Sequence, residues 1–375
     1  MSAGAWLFAG CVVAAAYPYL IYPLLLGWLA RARSKPPASQ EGPPNCPTVA
    51  ILVSAHNEEL RIAEKLENFK SLQYPAGFLQ LWVGVDGADD RTAEMVRASG
   101  IDGVHCLANP ARRGKTTVLN ELARKARAEG AEVFVFTDVN AFFRPDAVRE
   151  LVRPMVDPDV GLVSGRTVIR GRDGNSETEG AYYRLESWLK QREGALGWLP
   201  GADGAIYALR AHLYTELDPA LINDLAHPCQ AVAAGKTARF AAAAVSEEEA
   251  GDGAEREFHR QTRMTAQAAF VLVKAGLPLW RARQWGMLWV LLSHKWARWV
   301  AGLWILAGVA ALVSLGPWGI GLTGLTLLAV GLAWRFGWPG GNVAAFFGIV
   351  HAAYLRGLWK AIRGERYVTW KLRAG

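Results

Sequence analysis

The sequence has 375 residues, of which 51% are hydrophobic and 20% are charged, and this mixture suits one large folded domain joined to bilayer helices. The four cysteines, at positions 11, 46, 106 and 229, have no paired spacing, which disfavours both a zinc site and a disulfide framework. The net charge of +7 lies largely beside apolar segments, so we assign it to a membrane surface and expect no nucleic-acid partner.

An uncharged N-terminal stretch predicts the first membrane span. Residues 4–30 are apolar and exceed the roughly 20 residues that cross a bilayer. The stretch lacks the basic leader of a cleavable signal peptide, and Arg31, Arg33 and Lys35 follow it, which places that end in the cytoplasm. We therefore predict a transmembrane anchor over residues 1–30 and a Pro-rich linker over residues 31–47.

Residues 48–276 are predicted to form a domain of alternating strands and helices. The predicted strands are residues 49–53, 79–85, 104–107 and 132–137, and the predicted helices are residues 58–71, 91–98 and 114–128. This alternation predicts an α/β fold with a mostly parallel sheet that is covered by helices. In such sheets the ligand lies beyond the carboxyl ends of the strands.

Polar residues follow three of these strands, in the runs 54–59, 86–90 and 138–140. Asp138 and Asn140 carry the oxygen ligands with which a protein and a phosphate share Mg²⁺ or Mn²⁺, although the same pattern also suits a turn or a helix cap. Asp86 either accepts a hydrogen bond from a nucleotide or forms an Asp-Gly turn.

A basic run at the start of a predicted helix suits phosphate binding. Arg112, Arg113 and Lys115 would add side-chain cations to the backbone N–H groups of that helix start. A solvated basic turn is the alternative interpretation.

The second apolar region begins near residue 277. Tryptophans and basic residues alternate over 277–300, which predicts an interfacial amphipathic helix, because burying so many basic residues would be costly. Within 301–358 the uncharged runs 303–315 and 320–334 predict a transmembrane hairpin, and 342–358 is either a third span or an interfacial helix. The basic tail, 359–375, favours an even number of spans after the domain. We therefore expect a multi-pass protein of a bacterial-type inner or plasma membrane with its domain in the cytoplasm.

Eight short motifs occur in an order and at a spacing that resemble the family-2 inverting glycosyltransferases, particularly the membrane-bound polysaccharide and cell-wall type. They are residues 54–59, 85–90, 112–115, 136–140, 201–207, 222–224, 258–263 and 363–370. The resemblance implies a GT-A-type nucleotide-diphospho-sugar transferase domain that uses a divalent cation. It also implies a nucleotide-diphosphate sugar as the donor, with a UDP-sugar favoured, and a lipid-linked or glycan acceptor.

The same resemblance implies a role for individual residues. Asp86 would contact the nucleotide base, Asp138 the metal and diphosphate, and Asp224 would be the general base, with a helix N-cap as its alternative. The remaining donor-site residues would be Ser54, Asn57, Glu58, Asp90, Arg112, Arg113, Lys115 and Arg263. The acceptor side would be formed by Gly201, Ala202, Asp203 and Gly204.

The sequence departs from the family pattern at two places. Asn223 stands where an acid is common beside the base. Arg260 and Met264 replace the Gln and Trp of an element typical of processive synthases, which favours a single transfer per acceptor. Trp370 is either a lid over the donor site or an interfacial anchor.

Three functions remain open at this point. The first is a transferase that moves one sugar to a lipid-linked or glycan acceptor. The alternatives are a processive polysaccharide synthase and a non-catalytic, nucleotide-sugar-binding subunit of a synthase complex.

Overall fold

The computed structural model describes residues 2–33, 46–170, 181–249 and 254–368. The chain divides into two compact units, and each unit is assembled from separate segments of the sequence. The helical unit comprises Met1–Trp28, Gly251–Phe270 and Trp289–Arg366. The α/β unit comprises Leu29–Ala250, Val271–Leu288 and Tyr367–Gly375.

An eight-stranded sheet forms the centre of the α/β unit. Its strands are β1 (Val49–Ala55), β2 (Leu79–Asp86), β3 (Val104–Asn109), β4 (Val133–Thr137), β5 (Phe142–Phe143), β6 (Val160–Arg170), β7 (Tyr207–Arg210) and β8 (Thr237–Glu249). They are arranged in the order β3-β2-β1-β4-β7-β6-β8-β5. The first four neighbours are parallel, as predicted, whereas β7 runs antiparallel to both β4 and β6.

Helices account for most of the remaining described chain. They are α1 (Ala3–Ala16), α2 (Tyr22–Arg33), α3 (Glu59–Lys70), α4 (Thr92–Ala98), α5 (Lys115–Ala128), α6 (Ala147–Val152), α7 (Ala181–Ala195), α8 (Asn223–Ala233), α9 (Ala254–Arg281), α10 (Trp285–Val290), α11 (Ala297–Val313), α12 (Pro317–Arg335) and α13 (Pro339–Ile362). Two π-helical segments, Tyr17–Ile21 and Leu291–Trp296, join α1 to α2 and α10 to α11.

The sheet is held by apolar layers on both of its faces. All seven residues of β1 are buried, as expected for a central parallel strand that is covered on both sides. Alternate β1 residues, Val49, Ile51 and Val53, join a core cluster with Ile62 and Leu66 of α3. Helix α5 packs against β1 and β2. This packing fixes the strand ends from which the candidate site projects.

Three helical runs in the described chain are long and apolar enough to cross a membrane: Ala3–Ala32, Trp285–Val313 and Pro317–Arg335. The first coincides with the predicted anchor, and the last two are separated by Gly316, which lies between the predicted hairpin runs 303–315 and 320–334. Within the helical unit α1 packs on α11, and both α11 and α12 pack on α13.

The structure differs from the predicted interfacial helix over 277–300. Helix α9 ends at Arg281, and a new helical run begins at Trp285 and continues past residue 300. Within the second run Arg298 is only 4% exposed. The position of these residues at a membrane surface stays a prediction.

Candidate active site

The carboxyl ends of three neighbouring parallel strands lie at one edge of the sheet. β1 lies between β2 and β4, and Ala55 pairs with Val85 while Val53 pairs with Thr137. The residues that follow these strands therefore start from the same edge. This is the arrangement that the sequence predicted for the runs 54–59, 86–90 and 138–140.

The first two of these loops are tied together by side chains that we predicted to bind the donor. The Asn57 Oδ1 atom accepts a hydrogen bond from the Asp89 backbone N–H at 2.9 Å. The Glu58 N–H donates to Thr92 Oγ1 at 2.9 Å, and Asp90 Oδ2 accepts from the Glu59 N–H at 2.9 Å. These contacts give Asn57 and Asp90 a role in fixing the loops.

Ser54, at the end of the same strand, is buried, and its hydroxyl has no hydrogen-bond partner within the described residues. A small buried hydroxyl at this edge is available to a ligand that reaches the strand end. Its assignment to the donor site stays a prediction.

Asp86 organises the basic loop that precedes α5. The Asp86 side chain is completely buried, and its two carboxylate oxygens accept hydrogen bonds from the backbone N–H groups of Arg113 at 2.7 Å and Gly114 at 2.8 Å. Gly87 has a φ of 60°, and a Cβ there would lie 2.5 Å from the Arg112 backbone nitrogen. The loop therefore approaches so closely that only glycine fits. A contact between Asp86 and a nucleotide base stays a prediction.

Lys115, the first residue of α5, reaches the strand end that carries Asp138. Its amine forms an ion pair with Asp138 Oδ1, and the Asp138 side chain is 40% exposed. Arg113 instead pairs with Glu121 on the same helix, and Arg112 is half-buried. Of the three predicted cations, Lys115 is thus the one that directly contacts Asp138, the predicted metal ligand.

A lysine that the sequence did not single out lies behind this strand end. Lys65 is 3% exposed, and its amine donates hydrogen bonds to Thr137 Oγ1 at 3.3 Å and to the Ala141 carbonyl oxygen. Burial lowers the pKa of Lys65 to about 7, partly opposed by the negative charges of Asp138 and Glu248. Lys65 links the two ends of the turn that contains Asp138 and Asn140.

Asp224 is the second residue of α8. Ile222 occupies the N-cap position, and no side chain caps the helix there, so the N-cap alternative for Asp224 does not match the structure. A carboxylate in the first turn is favoured by the helix dipole. The Asp224 carbonyl oxygen accepts a hydrogen bond from the Ala202 N–H at 2.8 Å, and a Cβ on Gly204 would lie 3.0 Å from Asp224 Oδ2. The predicted base and the predicted acceptor run are therefore in contact.

Asp203 fastens that acceptor run to β6. Its Oδ1 accepts from Thr167 Oγ1 at 2.8 Å and its Oδ2 accepts from the Thr167 N–H at 3.0 Å. The Lys190 amine lies 3.7 Å from Asp203 Oδ2. Gly201 and Ala202 beside it are buried. Asp203 thus holds the loop in shape, and acceptor contact by the run stays a prediction.

A buried network that the sequence did not predict lies beside Asp224. The Tyr207 hydroxyl accepts a hydrogen bond from Asn223 Nδ2 at 2.6 Å and bonds to His227 Nδ1 at 2.9 Å. Burial raises the pKa of Tyr207 well above its usual value, and the negative charges of Asp224 and Asp138 raise it further. The hydroxyl therefore lies in the field of both carboxylates. Burial also lowers the pKa of His227 to about 3.

The only sequence signal for this network was the amide at Asn223, where an acid is common in similar chains. The structure gives that amide a function, because it donates to Tyr207 and a carboxylate could not.

Two further predicted site residues remain. Arg263 lies on α9 in the part of that helix that belongs to the helical unit. Trp370 lies outside the described residues. Their proposed contacts with the donor stay predictions.

The side-chain oxygens of Asp138 and Asn140 at the sheet edge suit a divalent cation that takes most of its other ligands from phosphate and water. Across the described ranges, no group of three or more His, Cys, Asp or Glu side chains could hold a metal ion. Asp138 is accessible, and Asn140 follows it in the same half-buried turn. Mg²⁺ and Mn²⁺ commonly accept one or two protein oxygens and complete their shells with phosphate and water.

Residues 50–209 match the family model described as "Glycosyl transferase family 2". The chain carries a family 2 glycosyltransferase domain. This confirms the resemblance drawn from the eight motifs. The matched residues extend from β1 to β7, and they contain the strand ends at Ser54, Asp86 and Asp138 and the run 201–204. Asp224 lies beyond the matched range.

Curated relatives and a solved structure agree with this assignment. A beta-monoglucosyldiacylglycerol synthase of Trichormus variabilis is 32% identical over 157 residues, which cover 40% of this chain and 33% of the relative. The probable glycosyltransferase YdaM of Bacillus subtilis is 24% identical, covering 64% of this chain and 59% of the relative. The match thus spans about a third of the length of the first of these relatives.

A mannosyltransferase from Pyrobaculum calidifontis, solved with GDP-Man and Mn²⁺, superimposes with a TM-score of 0.72 at 22% identity. The match covers 96% of this chain and 100% of that chain. It confirms the predicted GT-A fold of the α/β unit.

Proposed function

We propose that this protein is an inverting glycosyltransferase that moves one sugar from a nucleotide-diphosphate donor to a lipid acceptor at the cytoplasmic face of a membrane. The observation that carries the proposal is the position of Tyr207. The negative charges of Asp224 and Asp138 both raise the pKa of its buried hydroxyl, so both carboxylates are within electrostatic reach of the same residue. These are the two carboxylates that we assign to the acceptor side and the donor side.

The donor diphosphate would be held at the end of β4 and the start of α5. Lys115 supplies a cation, and the backbone N–H groups at the start of α5 suit an anion. Asp138 and Asn140 would hold Mg²⁺ or Mn²⁺, which when bound offsets the negative charge that develops on the departing diphosphate. On donor binding Lys115 would exchange its contact with Asp138 for the phosphate oxygens.

Asp224 would take the proton from the acceptor hydroxyl as that oxygen attacks the anomeric carbon. A carboxylate on the acceptor side and a diphosphate leaving from the opposite side give inversion in a single displacement. The Ala202 hydrogen bond and the close approach of Gly204 hold Asp224 in position. Asn223 carries no proton-accepting group, so Asp224 is the single base in our proposal.

The acceptor class is proposed from two observations. Three helical runs of the described chain have the length and composition of membrane spans. Curated relatives are named for a glucosylated diacylglycerol, which is a lipid product. A single transfer is proposed because Arg260, at the position of the processive Gln, is engaged by Glu257, and Met264 replaces the stacking Trp.

The test uses the purified full chain with Mn²⁺ and, in separate reactions, UDP-glucose, UDP-galactose or GDP-mannose. Dioleoylglycerol, a polyprenyl phosphate and a soluble oligosaccharide are the acceptors, and products are identified by mass spectrometry. We expect one sugar on a lipid acceptor and release of the nucleotide diphosphate. A ladder of products would identify a processive synthase, and donor binding without transfer to any acceptor would identify a binding subunit.

A further inference from the structure

A lysine is buried behind the strand end that carries Asp138. Lys65 lies on α3 and is 3% exposed, and its amine donates hydrogen bonds to Thr137 Oγ1 at 3.3 Å and to the Ala141 carbonyl oxygen. The amine also lies over the Phe143 ring, 4.8 Å from its centroid. A lysine amine is rarely buried to this extent, because the loss of water is costly unless hydrogen bonds replace it. The replacing contacts are all made to one short segment of the chain.

That segment contains the turn between β4 and β5, residues 138–141, which we call the Asp138 turn. A backbone hydrogen bond spans it, from the Ala141 N–H to the Asp138 carbonyl oxygen at 3.3 Å, which is longer than the usual distance of about 2.9–3.0 Å. Lys65 bonds to the residue before the turn and to its last residue, so its amine joins the two ends. The backbone that carries Asp138 and Asn140 is therefore fastened by a side chain from α3 as well as by its own hydrogen bond.

A second side chain of α3 holds the chain immediately after the Asp138 turn. Asn68 donates from Nδ2 to the Phe143 carbonyl oxygen at 2.7 Å, and its Oδ1 accepts from the Phe143 N–H at 2.8 Å. Residues three apart on a helix lie on the same face, so Lys65 and Asn68 act from one side of α3. Phe143 also pairs with Ser246 of β8. The end of the turn is thus held from two elements, and its start continues from β4.

The two lysines near Asp138 differ in what they can do when a donor arrives. Lys115 contacts the Asp138 carboxylate itself, and its side chain is 26% exposed, so it can turn toward a phosphate. Lys65 is buried and bonds to the residues on either side of the proposed ligands, so it keeps its place. Burial lowers the pKa of Lys65 to about 7, and an amine retains two N–H donors even when it is neutral. Both hydrogen bonds therefore persist whether or not the amine is charged.

We propose that Lys65 and Asn68 are positioning residues of the divalent-cation site, and that they hold the Asp138 turn in the shape in which Asp138 and Asn140 share one cation with the donor diphosphate. The inference rests on the donor site of the proposed function and adds to it two residues that act through the turn. Ligands that are already in place bind a cation more tightly, because the turn need not be ordered on binding. The role therefore affects the part of donor binding that depends on the cation.

The test measures UDP binding by the full chain in dodecyl maltoside, by calorimetric titration in excess Mn²⁺ and in EDTA. The ratio of the two affinities gives the strengthening of UDP binding by the cation, which we call the Mn²⁺ enhancement. Lys65→Met replaces the amine by an apolar side chain of similar length. We expect this variant to lower the Mn²⁺ enhancement about 10- to 100-fold, the range for losing an outer partner of a metal site, and to leave the UDP affinity in EDTA unchanged.

The matched control is Lys70→Met, which makes the same change on the same helix at the protein surface. Lys70 pairs with Glu67, and its side chain is 49% exposed. This variant should keep the wild-type Mn²⁺ enhancement. If Lys65→Met loses UDP affinity equally in Mn²⁺ and in EDTA, Lys65 only stabilises the domain and the proposal is overturned. A wild type without any Mn²⁺ enhancement would overturn it too.

A double-mutant cycle tests whether Lys65 acts through Asp138. In the Asp138→Ala background the turn has lost its first proposed ligand, so adding Lys65→Met should weaken UDP binding in Mn²⁺ no further. Fully additive losses would show that Lys65 affects UDP binding by another route, and they would contradict the proposal.

Asn68→Leu keeps the proposal testable if Lys65→Met does not fold. It removes both hydrogen bonds to Phe143 and leaves Lys65 in place, and we expect a Mn²⁺ enhancement that is about tenfold lower than in the wild type. Wild-type enhancement in either folded variant would overturn the proposal.

These measurements need no acceptor, so their outcome can be separated from that of the proposed function. If no acceptor gains sugar while the Mn²⁺ enhancement depends on Lys65, the proposed transfer fails and the positioning role stands. If sugar is transferred while Lys65→Met keeps the full Mn²⁺ enhancement, the proposed function stands and the positioning role fails.

Discussion

Each unit of the molecule contains a tyrosine whose hydroxyl bonds to a histidine ring at 2.9 Å. In the α/β unit the Tyr207 hydroxyl meets His227, and in the helical unit the Tyr19 hydroxyl meets His351. A third residue completes each network, and it is different in the two units. Asn223 donates a hydrogen bond to the Tyr207 hydroxyl, whereas the Arg298 guanidinium lies over the ring of Tyr19. The two networks thus share one pair of residue types and differ in charge.

The two networks therefore differ in how their polar side chains are balanced by charge. The Tyr207 network consists of neutral groups beside carboxylates that the chain itself provides, so it can hold Asp224 without needing a ligand. In the helical unit the buried Arg298 guanidinium instead lies over the Tyr19 ring, where the aromatic face attracts the cation. We therefore expect changes near Tyr207 to alter catalysis and changes near Tyr19 to alter the stability of the helical unit.

The largest expected effect comes from Asp224→Asn. The change keeps the shape of the side chain and removes the proton acceptor, so turnover with saturating donor should fall by about 10²–10⁴. The melting temperature should stay close to that of the wild type, since Asp224 does not cap α8.

The matched control for Asp224→Asn is Asp146→Asn, which changes an exposed aspartate at the start of α6. Its turnover should equal that of the wild type. Near-normal turnover of Asp224→Asn would show that Asp224 is not the general base. It would also contradict the expectation that changes near Tyr207 alter catalysis.

Asp138→Ala is expected to weaken donor binding. The affinity for UDP in the presence of Mn²⁺, measured by calorimetric titration, should fall at least about 100-fold, because even outer partners of a metal site are worth about 10–100-fold. Asp102→Ala, at an exposed position before β3, should bind UDP as the wild type does. An unchanged UDP affinity in Asp138→Ala would exclude Asp138 from the donor site.

The paired variants Tyr207→Phe and Tyr19→Phe compare the two networks directly. Tyr207→Phe leaves Asn223 and His227 without their shared partner, which should lower the free energy of unfolding by about 1–3 kcal/mol. The loss of the Tyr207 hydroxyl should also displace Asp224 slightly. We expect this displacement to lower kcat by about tenfold or more and to leave the donor KM unchanged. Tyr19→Phe should leave kcat unchanged, because Tyr19 belongs to the helical unit and not to the α/β unit that carries Asp224. Equal losses of kcat in both variants would contradict the comparison.

The smallest expected effect concerns the pH dependence of stability. Burial lowers the pKa of His227 to about 3, below the roughly 6.5 of an unfolded histidine. The unfolded chain therefore binds the proton first, and stability falls as the pH drops from about 6.5 toward 3. The slope contributed by His227 approaches about 1.4 kcal/mol per pH unit.

His227→Gln, which is neutral throughout, should show a shallower fall in unfolding free energy between pH 6 and pH 4. Urea titrations at several pH values measure the two slopes. His212→Gln, at a partly exposed position, serves as the control. Identical slopes in wild type and His227→Gln would mean that His227 is not held neutral in the fold.

The sequence predicted the parallel half of the sheet and the strand ends that form the site. It could do so because β1, β2 and β4 are continuous apolar runs that end on polar residues, which are local signals. It did not predict the antiparallel insertion of β7 between β4 and β6, because that pairing depends on contacts between distant segments. Lys65 was missed for a similar reason, since its helical position does not reveal that it points beneath Asp138.

Side-chain assignments were predictable only in part. The pattern after β4 indicated Asp138, but it did not reveal that Lys115 forms an ion pair with it. The basic and aromatic pattern over 277–300 was interpreted as a surface helix, whereas the structure buries Arg298. A motif specifies which residue types are present, and their partners depend on how helices and loops pack in three dimensions.

The order of segments along the chain also determines when the helices of the helical unit can pack together during translation. Helix α1 packs on α11, but most of the α/β unit, Leu29–Ala250 and Val271–Leu288, is encoded between them. At about 5–20 residues per second, the ribosome completes α11 on the order of tens of seconds after α1. During that interval Tyr17 and Tyr19 lack their hydrogen-bond partners Ser293 and His351. Helix α1 is therefore made well before α11 and is among the last elements to acquire its native neighbours.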